Sequence, residues 1–288
     1  MKEVFLLILF VSNNTDILQF YPEWFINRIK DKQFAIEKQK TNVVYEISPK
    51  TVDLIMFETK NPAPFLPYTE EYLKYGFKSH FLISVSPYGK DIERNVDKSK
   101  IFESIKKISA LFGKENVTWV YSPVVINSTY TEECHKKYFE IMAKKLSPYV
   151  NNVIVDFIKP YKPPIHASLY APELESKQKK KILIELHKIA VKYNLKLYAD
   201  GCKSSKKVFL NDIIENSTGK TLNSSEQIID MGLINTCKGN CEYCNCGGNL
   251  YWERNTNNVI TSPLFIGELN KMKKHIKKKV PVLEPIQD

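Results

Sequence analysis

Glycine is sparse in this chain, 10 residues of 288, and proline contributes 15, which excludes collagen-like and low-complexity classes. Long apolar runs are also missing. The stretch Val4 to Val11 is far shorter than the roughly 20 residues a membrane-spanning helix requires, and a 26% share of charged residues argues against a multi-pass membrane protein. Lys2 ahead of that stretch gives it the outline of a short signal peptide, but no small-residue cleavage site follows, so it reads as a buried first strand. Histidine is rare, five residues with none at metal-ligand spacing from another, and His135 and His187 read as ordinary helix residues. No internal repeat is present. A phosphate-binding loop is absent too: Gly219-Lys220-Thr221 imitates its end, but Ile214 stands where the motif needs glycine.

What is present is a 43% hydrophobic share, enough for the core of one large domain or two small ones. The balance of 42 Lys+Arg against 32 Asp+Glu gives a net charge of +10, a field that favours anionic partners such as nucleic acid or phosphorylated metabolites without naming one. The run Lys271 to Lys279 adds to that charge. Without interleaved aromatics for base stacking it reads as a solvated terminal helix more readily than as a phosphate-binding one.

Apolar runs rich in β-branched and aromatic residues recur: Phe5 to Val11, Asp53 to Glu58, Phe81 to Val85, Val117 to Tyr121, Val153 to Phe157 and Leu195 to Tyr198, with a hairpin element at Val43 to Ile47. Helical stretches alternate with them. Helices are expected at Glu23 to Lys30 and Thr69 to Tyr75, and apolar stripes run along Ile101, Ile105, Ile108, Phe112 and along Ile182, Leu186, Ile189, Tyr193. Strands buried on both faces and joined by helical crossovers imply an α/β fold with a parallel sheet, open or closed. A parallel βα barrel, complete or partial and TIM-like, is the expectation. Residues 1–202 form its barrel-like domain. Residues 203–288 supply a linker over 203–226, a cysteine-rich extension and a C-terminal basic helix over 262–279, packed on the barrel.

In such folds chemistry sits at the carboxyl ends of the strands. The residues found there are Thr15 and Asp16, Lys60 and Asn61, Tyr88, Lys90 and Asp91, then Ser122, Asp156 and Asp200. Each of the aspartates also fits a capping or turn role, so the argument rests on their convergence.

Six cysteines are unevenly placed. Cys134 and Cys202 stand alone, while Cys237, Cys241, Cys244 and Cys246 crowd together, a distribution that suggests metal in a reducing, cytoplasmic setting more than disulfides. The spacing C-x3-C-x2-C over Cys237, Cys241 and Cys244 lets one short loop wrap a cubane iron-sulfur cluster, with Gly239 and Asn240 tolerant of the left-handed backbone that wrapping needs. Three thiolates hold three irons. The fourth iron is left open to bind a small molecule. The competing reading is a structural zinc held by Cys237, Cys241, Cys244 and Cys246, whose closed tetrahedral shell leaves no catalytic position.

C-x3-C-x2-C with Tyr243 before the last cysteine resembles the signature of radical S-adenosylmethionine enzymes. Over nearly its whole length the chain resembles an uncharacterised bacterial family, domain of unknown function eighteen-forty-eight, with a radical-SAM-like cysteine cluster at its C-terminal end. The matching stretches are Thr15-Asp16-Ile17 with Phe20-Tyr21, Thr59 to Leu66, Pro87 to Glu93, Asn235 to Cys244 and Ser262-Pro263-Leu264. The chain departs from that family at Asn13-Asn14, where a basic pair is usual, at Val120 and Ser122, which replace Arg and Asp, and at Asn245-Cys246.

The resemblance implies a [4Fe-4S] cluster on Cys237, Cys241 and Cys244, S-adenosyl-L-methionine on the open iron with Tyr243 beside its adenine, and a 5′-deoxyadenosyl radical that abstracts hydrogen. It implies an electron donor such as flavodoxin or ferredoxin and a substrate that is a small molecule or, by analogy with spore photoproduct lyases, nucleic acid. Lys60, Lys90 and Asp91 are then candidate catalytic residues, and Thr15, Asp16, Asn61 and Tyr88 candidate cofactor-pocket residues. No membrane partner is expected. The rival is a non-catalytic nucleic-acid-binding protein with a structural zinc or iron-sulfur site.

Overall fold

The structure is a computed structural model of the chain and describes residues 6–12, 14–38, 41–158, 174–199, 206–220, 226–234, 236–244, 258–265 and 275–276. In chain order, β1 (Leu6–Phe10) leads through α1 (Ile17–Phe20) and α2 (Pro22–Asp31) to a hairpin of β2 (Gln33–Lys38) and β3 (Thr41–Glu46). Next come β4 (Leu54–Thr59), a 3-10 turn over Ala63–Tyr68, α3 (Thr69–Leu73), β5 (Ser79–Ser84), α4 (Ile101–Phe112) and β6 (Val117–Val124). The remainder is α5 (Glu132–Leu146), β7 (Asn152–Phe157), α6 (Ser176–Lys192), β8 (Lys196–Ala199), α7 (Lys206–Thr218), β9 (Glu226–Asp230) and the short β10 (His275–Ile276).

Seven strands form one sheet in the order β8-β7-β6-β5-β4-β1-β9, and every pairing in it is parallel. From β1 through β8 successive strands step the same way, and crossovers of one hand then place their helices on one face. That face carries the larger core: Leu9, Phe57, Ile83, Trp119 and Val155 pack under Phe25 of α2, Ile105 of α4, Phe139 of α5 and Leu186 of α6. The fold is therefore a mixed α/β architecture built on a seven-stranded parallel sheet.

Because strand side chains alternate, the neighbouring positions point to the other face. There Leu6, Ile8, Leu54, Met56, Leu82, Val120, Ile154 and Tyr198 meet Phe209, Ile213 and Ile214 of α7. Toward the carboxyl ends this inner face turns polar. Glu58, Ser84, Ser122 and Asp156 follow the apolar positions two residues on, and they line a cavity at that end.

Several expectations need correction. The stretch read as a linker over 203–226 contains α7, which forms because Phe209, Ile213 and Ile214 give the inner face the apolar cover it lacks. Of the terminal helix expected over 262–279, only residues 262–265 and 275–276 are among the described residues, and they are not helical. Leu264 bridges Ala35, and His275–Ile276 run parallel to Val43–Val44 of β3, making a three-stranded sheet with β2. Trp24 of α2 holds the approach to this sheet, its indole N–H shared between the Ser262 and Leu264 carbonyls at 3.0 and 3.2 Å. Asn13, Asp200, Cys202, Asn245, Cys246 and most of the basic run at 271–279 lie outside the described residues. Among the described residues, no helix is long and apolar enough to cross a membrane.

Candidate functional site

The cavity at the carboxyl ends of the strands has a volume of about 430 Å³, within the range of roughly 300–1,000 Å³ typical of small-molecule sites. One side is formed by the ends of β1, β4, β5, β6 and β7. The other is the cysteine loop, which contributes Cys237, Gly239, Cys241, Tyr243 and Cys244.

That loop is held by backbone pairing with the segment after β5. Glu93 and Cys241 form an antiparallel bridge, the Glu242 N–H donates to the Ile92 carbonyl at 2.9 Å, and the Asn95 N–H donates to the Gly239 carbonyl at 3.1 Å. The Asn95 side-chain amide adds a bond to the Lys238 carbonyl at 2.8 Å, and Arg94 pairs with Glu242 at 2.5 Å. At the other end Thr15 bonds Thr236 side chain to side chain and donates to the Leu233 carbonyl, while the Tyr21 hydroxyl donates to the Thr236 carbonyl at 2.7 Å. Asn240 has a backbone φ of 51°, the left-handed region that asparagine tolerates better than most residues.

Gly239 matters for a different reason. A Cβ at this position would sit 3.4 Å from the Cys237 sulfur and 3.7 Å from the Cys241 sulfur, filling the hollow between two thiols. Its absence keeps that hollow open. An all-thiol donor set suits zinc and iron-sulfur clusters alike. Among the described residues, no three histidine, cysteine or acidic side chains converge closely enough to chelate a single ion. Burial pushes the Cys237 thiol up to about 11 and the Cys241 thiol up to about 12, so both are neutral until something electropositive binds them.

Beside Cys241 lies a buried charge network centred on Glu93. Its carboxylate accepts from the Lys60 ammonium at 3.1 Å, from the Ser86 hydroxyl at 2.8 Å, from Lys98 and from the Tyr243 hydroxyl. Burial alone would raise the Glu93 pKa, but Lys60 and Lys98 hold it down at about 2. Burial likewise works against the Lys60 charge, but Glu93, with Cys241 and Glu58 adding to it, more than offsets that, so the Lys60 pKa rises. For Lys98 burial outweighs that attraction and its pKa falls. Lys60 also bonds the Ser84 hydroxyl at 3.1 Å and lies 5.2 Å from the centre of the Tyr243 ring.

Of the residues the sequence singles out, Thr15, Asp16, Lys60, Ser122, Asp156, Tyr243 and the three cysteines line the cavity. Asp16 caps α1 through the Gln19 N–H at 3.1 Å and accepts the Lys60 backbone N–H at 2.8 Å; burial raises its carboxyl to about 6. The remaining four do not line it. Asn61 turns its side chain to the Ala63 N–H at 3.1 Å, closing the turn that starts the 3-10 segment. Tyr88 sits behind Tyr243, donating to the Pro123 carbonyl at 2.5 Å and accepting from the Val125 N–H at 2.8 Å. Lys90 reaches the Val96 carbonyl at 2.9 Å, and Asp91 accepts from the Tyr130 hydroxyl at 2.9 Å, both in an exposed loop.

Sequence reasoning passes over Gln19, Glu58, Ser84 and Glu93. Glu58 and Ser84 are legible in hindsight, since each follows an inward-facing apolar residue by two positions, Met56 and Leu82. Glu93 is marked only as the last residue of the family-like stretch Pro87 to Glu93, and nothing local marks Gln19.

The fold and the site define an α/β protein whose parallel sheet presents a polar cavity edged by three thiols. The chain belongs to the family described as Domain of unknown function (DUF1848), which matches it over residues 8–246. No curated protein matches the chain.

Proposed function

We propose that this protein is a radical S-adenosylmethionine-type iron-sulfur enzyme, with Cys237, Cys241 and Cys244 as the cluster ligands. The observation that carries the reading is that these three thiols, spaced C-x3-C-x2-C, edge the same cavity as Thr15, Asp16 and Lys60. When bound, a four-iron cluster with S-adenosylmethionine supplies one-electron cleavage of the sulfonium and a carbon radical for hydrogen abstraction. The chain's own part is to hold and orient. Gly239 leaves room between sulfurs, Tyr243 presents its ring to the cavity with its hydroxyl fixed on Glu93, and Lys60 offers an ammonium to an anionic group. The strand order supports a partial βα barrel opened between β8 and β9, with α7 as its interior plug. The working environment is a reducing cytoplasm, the electron donor a flavodoxin or ferredoxin, and the substrate a small molecule or nucleic acid.

Anaerobic reconstitution with iron and sulfide tests this. The loaded protein is expected to show broad visible absorbance, to form 5′-deoxyadenosine with reductant and S-adenosylmethionine, and to lose both in Cys241→Ala. A colourless protein carrying zinc overturns the reading in favour of a structural metal site.

A further inference from the structure

We propose that Glu93, Lys60 and Lys98 form a buried charge device that leaves one positive charge next to the cysteine loop and so stabilises the reduced state of the cluster held there. This rests on the iron-sulfur reading above. Two ammonium groups meet one carboxylate, so the trio's own charges sum to one positive, with side-chain exposures of 21% for Lys60, 26% for Lys98 and 1% for Glu93. Glu58, which also acts on Lys60, lines the cavity with Asp16 and Asp156 and is common to all the variants compared below. The arrangement is rigid. Lys98 also donates to the Tyr88 carbonyl at 2.7 Å and to the Ser86 carbonyl at 3.2 Å, Lys60 donates to Ser84, and the Glu93 backbone is bridged to Cys241 itself. The device and a ligand cysteine thus share one stretch of paired backbone.

The physics is that of a fixed charge near a redox centre. Reduction adds one electron from an external donor to a group already carrying negative thiolates, and a nearby cation lowers the free energy of the product more than that of the reactant. Net charge and hydrogen bonding around the sulfurs are among the levers that set iron-sulfur potentials. Glu93 acts as a positioning residue: it holds Lys60 against the Tyr243 ring and fixes the sum of charge.

The sign of the effect separates this from a merely structural role. In Lys60→Met the surplus vanishes, in Glu93→Gln it grows, and in the double variant it returns to that of the wild type. Anaerobic dithionite titration of the reconstituted proteins, followed by visible absorbance and electron paramagnetic resonance, reads the midpoint potential. The expected order is Glu93→Gln highest, wild type and double variant together, and Lys60→Met lowest. The reduced-to-oxidised ratio at fixed poise should shift by about tenfold or more per charge, the scale of one charge within about 10 Å at an effective dielectric of about 20. Lys98→Met, at a more exposed position, should move the midpoint in the same direction as Lys60→Met and serves if Glu93→Gln does not fold. Equal potentials, or shifts of one sign in all variants at wild-type iron content, overturn the proposal. A wild-type protein that takes up no iron overturns it by a separate route, through the cluster reading itself.

Discussion

The Tyr243 hydroxyl donates to the Glu93 carboxylate, joining residues 150 positions apart in the chain. This one bond connects the cysteine loop to the strand-end segment after β5, and through Glu93 it reaches Lys60 and Lys98. The cysteine loop is therefore tied to the same carboxylate that pairs with both lysines.

Glu93→Ala leaves two ammonium groups facing each other in a largely buried setting. Breaking such a network by removing one partner costs about 3–5 kcal/mol, and the urea unfolding midpoint should fall accordingly. Glu93→Gln keeps a hydrogen-bond acceptor and should lose less. A cost below about 1 kcal/mol for the alanine variant, the worth of an ordinary exposed pair, would show that the network does not stabilise the fold.

His80 offers a pH test away from the cysteines. It faces Thr118 at 2.9 Å on the inner side of the sheet, and burial pulls its pKa from 6.5 to about 3. The folded protein keeps it neutral while the unfolded chain takes up a proton below pH 6.5. Stability is thus fully present above that value and declines as pH falls toward 3, by up to about 1.4 kcal/mol per pH unit. In His80→Gln this share of the decline should disappear from denaturant unfolding curves measured across the window; an identical slope in the variant would contradict the assignment.

Gly239→Ala separates folding from loading. The added Cβ makes only ordinary contacts, 3.4 Å to the Cys237 sulfur and 3.7 Å to Phe20 and the Cys241 sulfur, so stability should change by less than about 1 kcal/mol. Iron bound per chain after reconstitution should drop several-fold, because the methyl occupies the hollow between sulfurs. Full loading would place the bound group elsewhere.

Ile214→Ala tests the role of α7. The side chain is fully buried against the inner face, and its truncation should cost about 2–5 kcal/mol, against about 0.5–1.5 for Ile214→Val. A change near zero in thermal unfolding would mean that α7 does not plug the sheet.

Strands β1 and β4 to β8 were legible because each is a mostly apolar run, β3 as a hairpin element, and the stripes of α4 and α6 because their spacing matches a helix. β2 was missed, because Gln33, Glu37 and Lys38 leave only three apolar residues between them. β9 and α7 were missed as well. Glu226 and Gln227 interrupt any apolar run at β9, and Phe209, Ile213 and Ile214 make too short a stripe among serines and lysines to stand out. Asn61, Tyr88, Lys90 and Asp91 sit at strand ends as expected, yet nearby backbone groups or, for Asp91, the Tyr130 hydroxyl satisfied their polar atoms first. Position along a strand is local information; the direction a polar side chain takes depends on which partners the fold brings within reach.

By itself the amino-acid sequence determined the alternation of strands and helices and the spacing of three thiols in one loop. Only the tertiary structure decided that this loop returns to the strand ends, because its pairing with residues 92–95 joins segments that no local rule relates. Closing a long stretch of chain costs entropy that grows only slowly with length, so backbone hydrogen bonds and a buried carboxylate suffice to fix the contact.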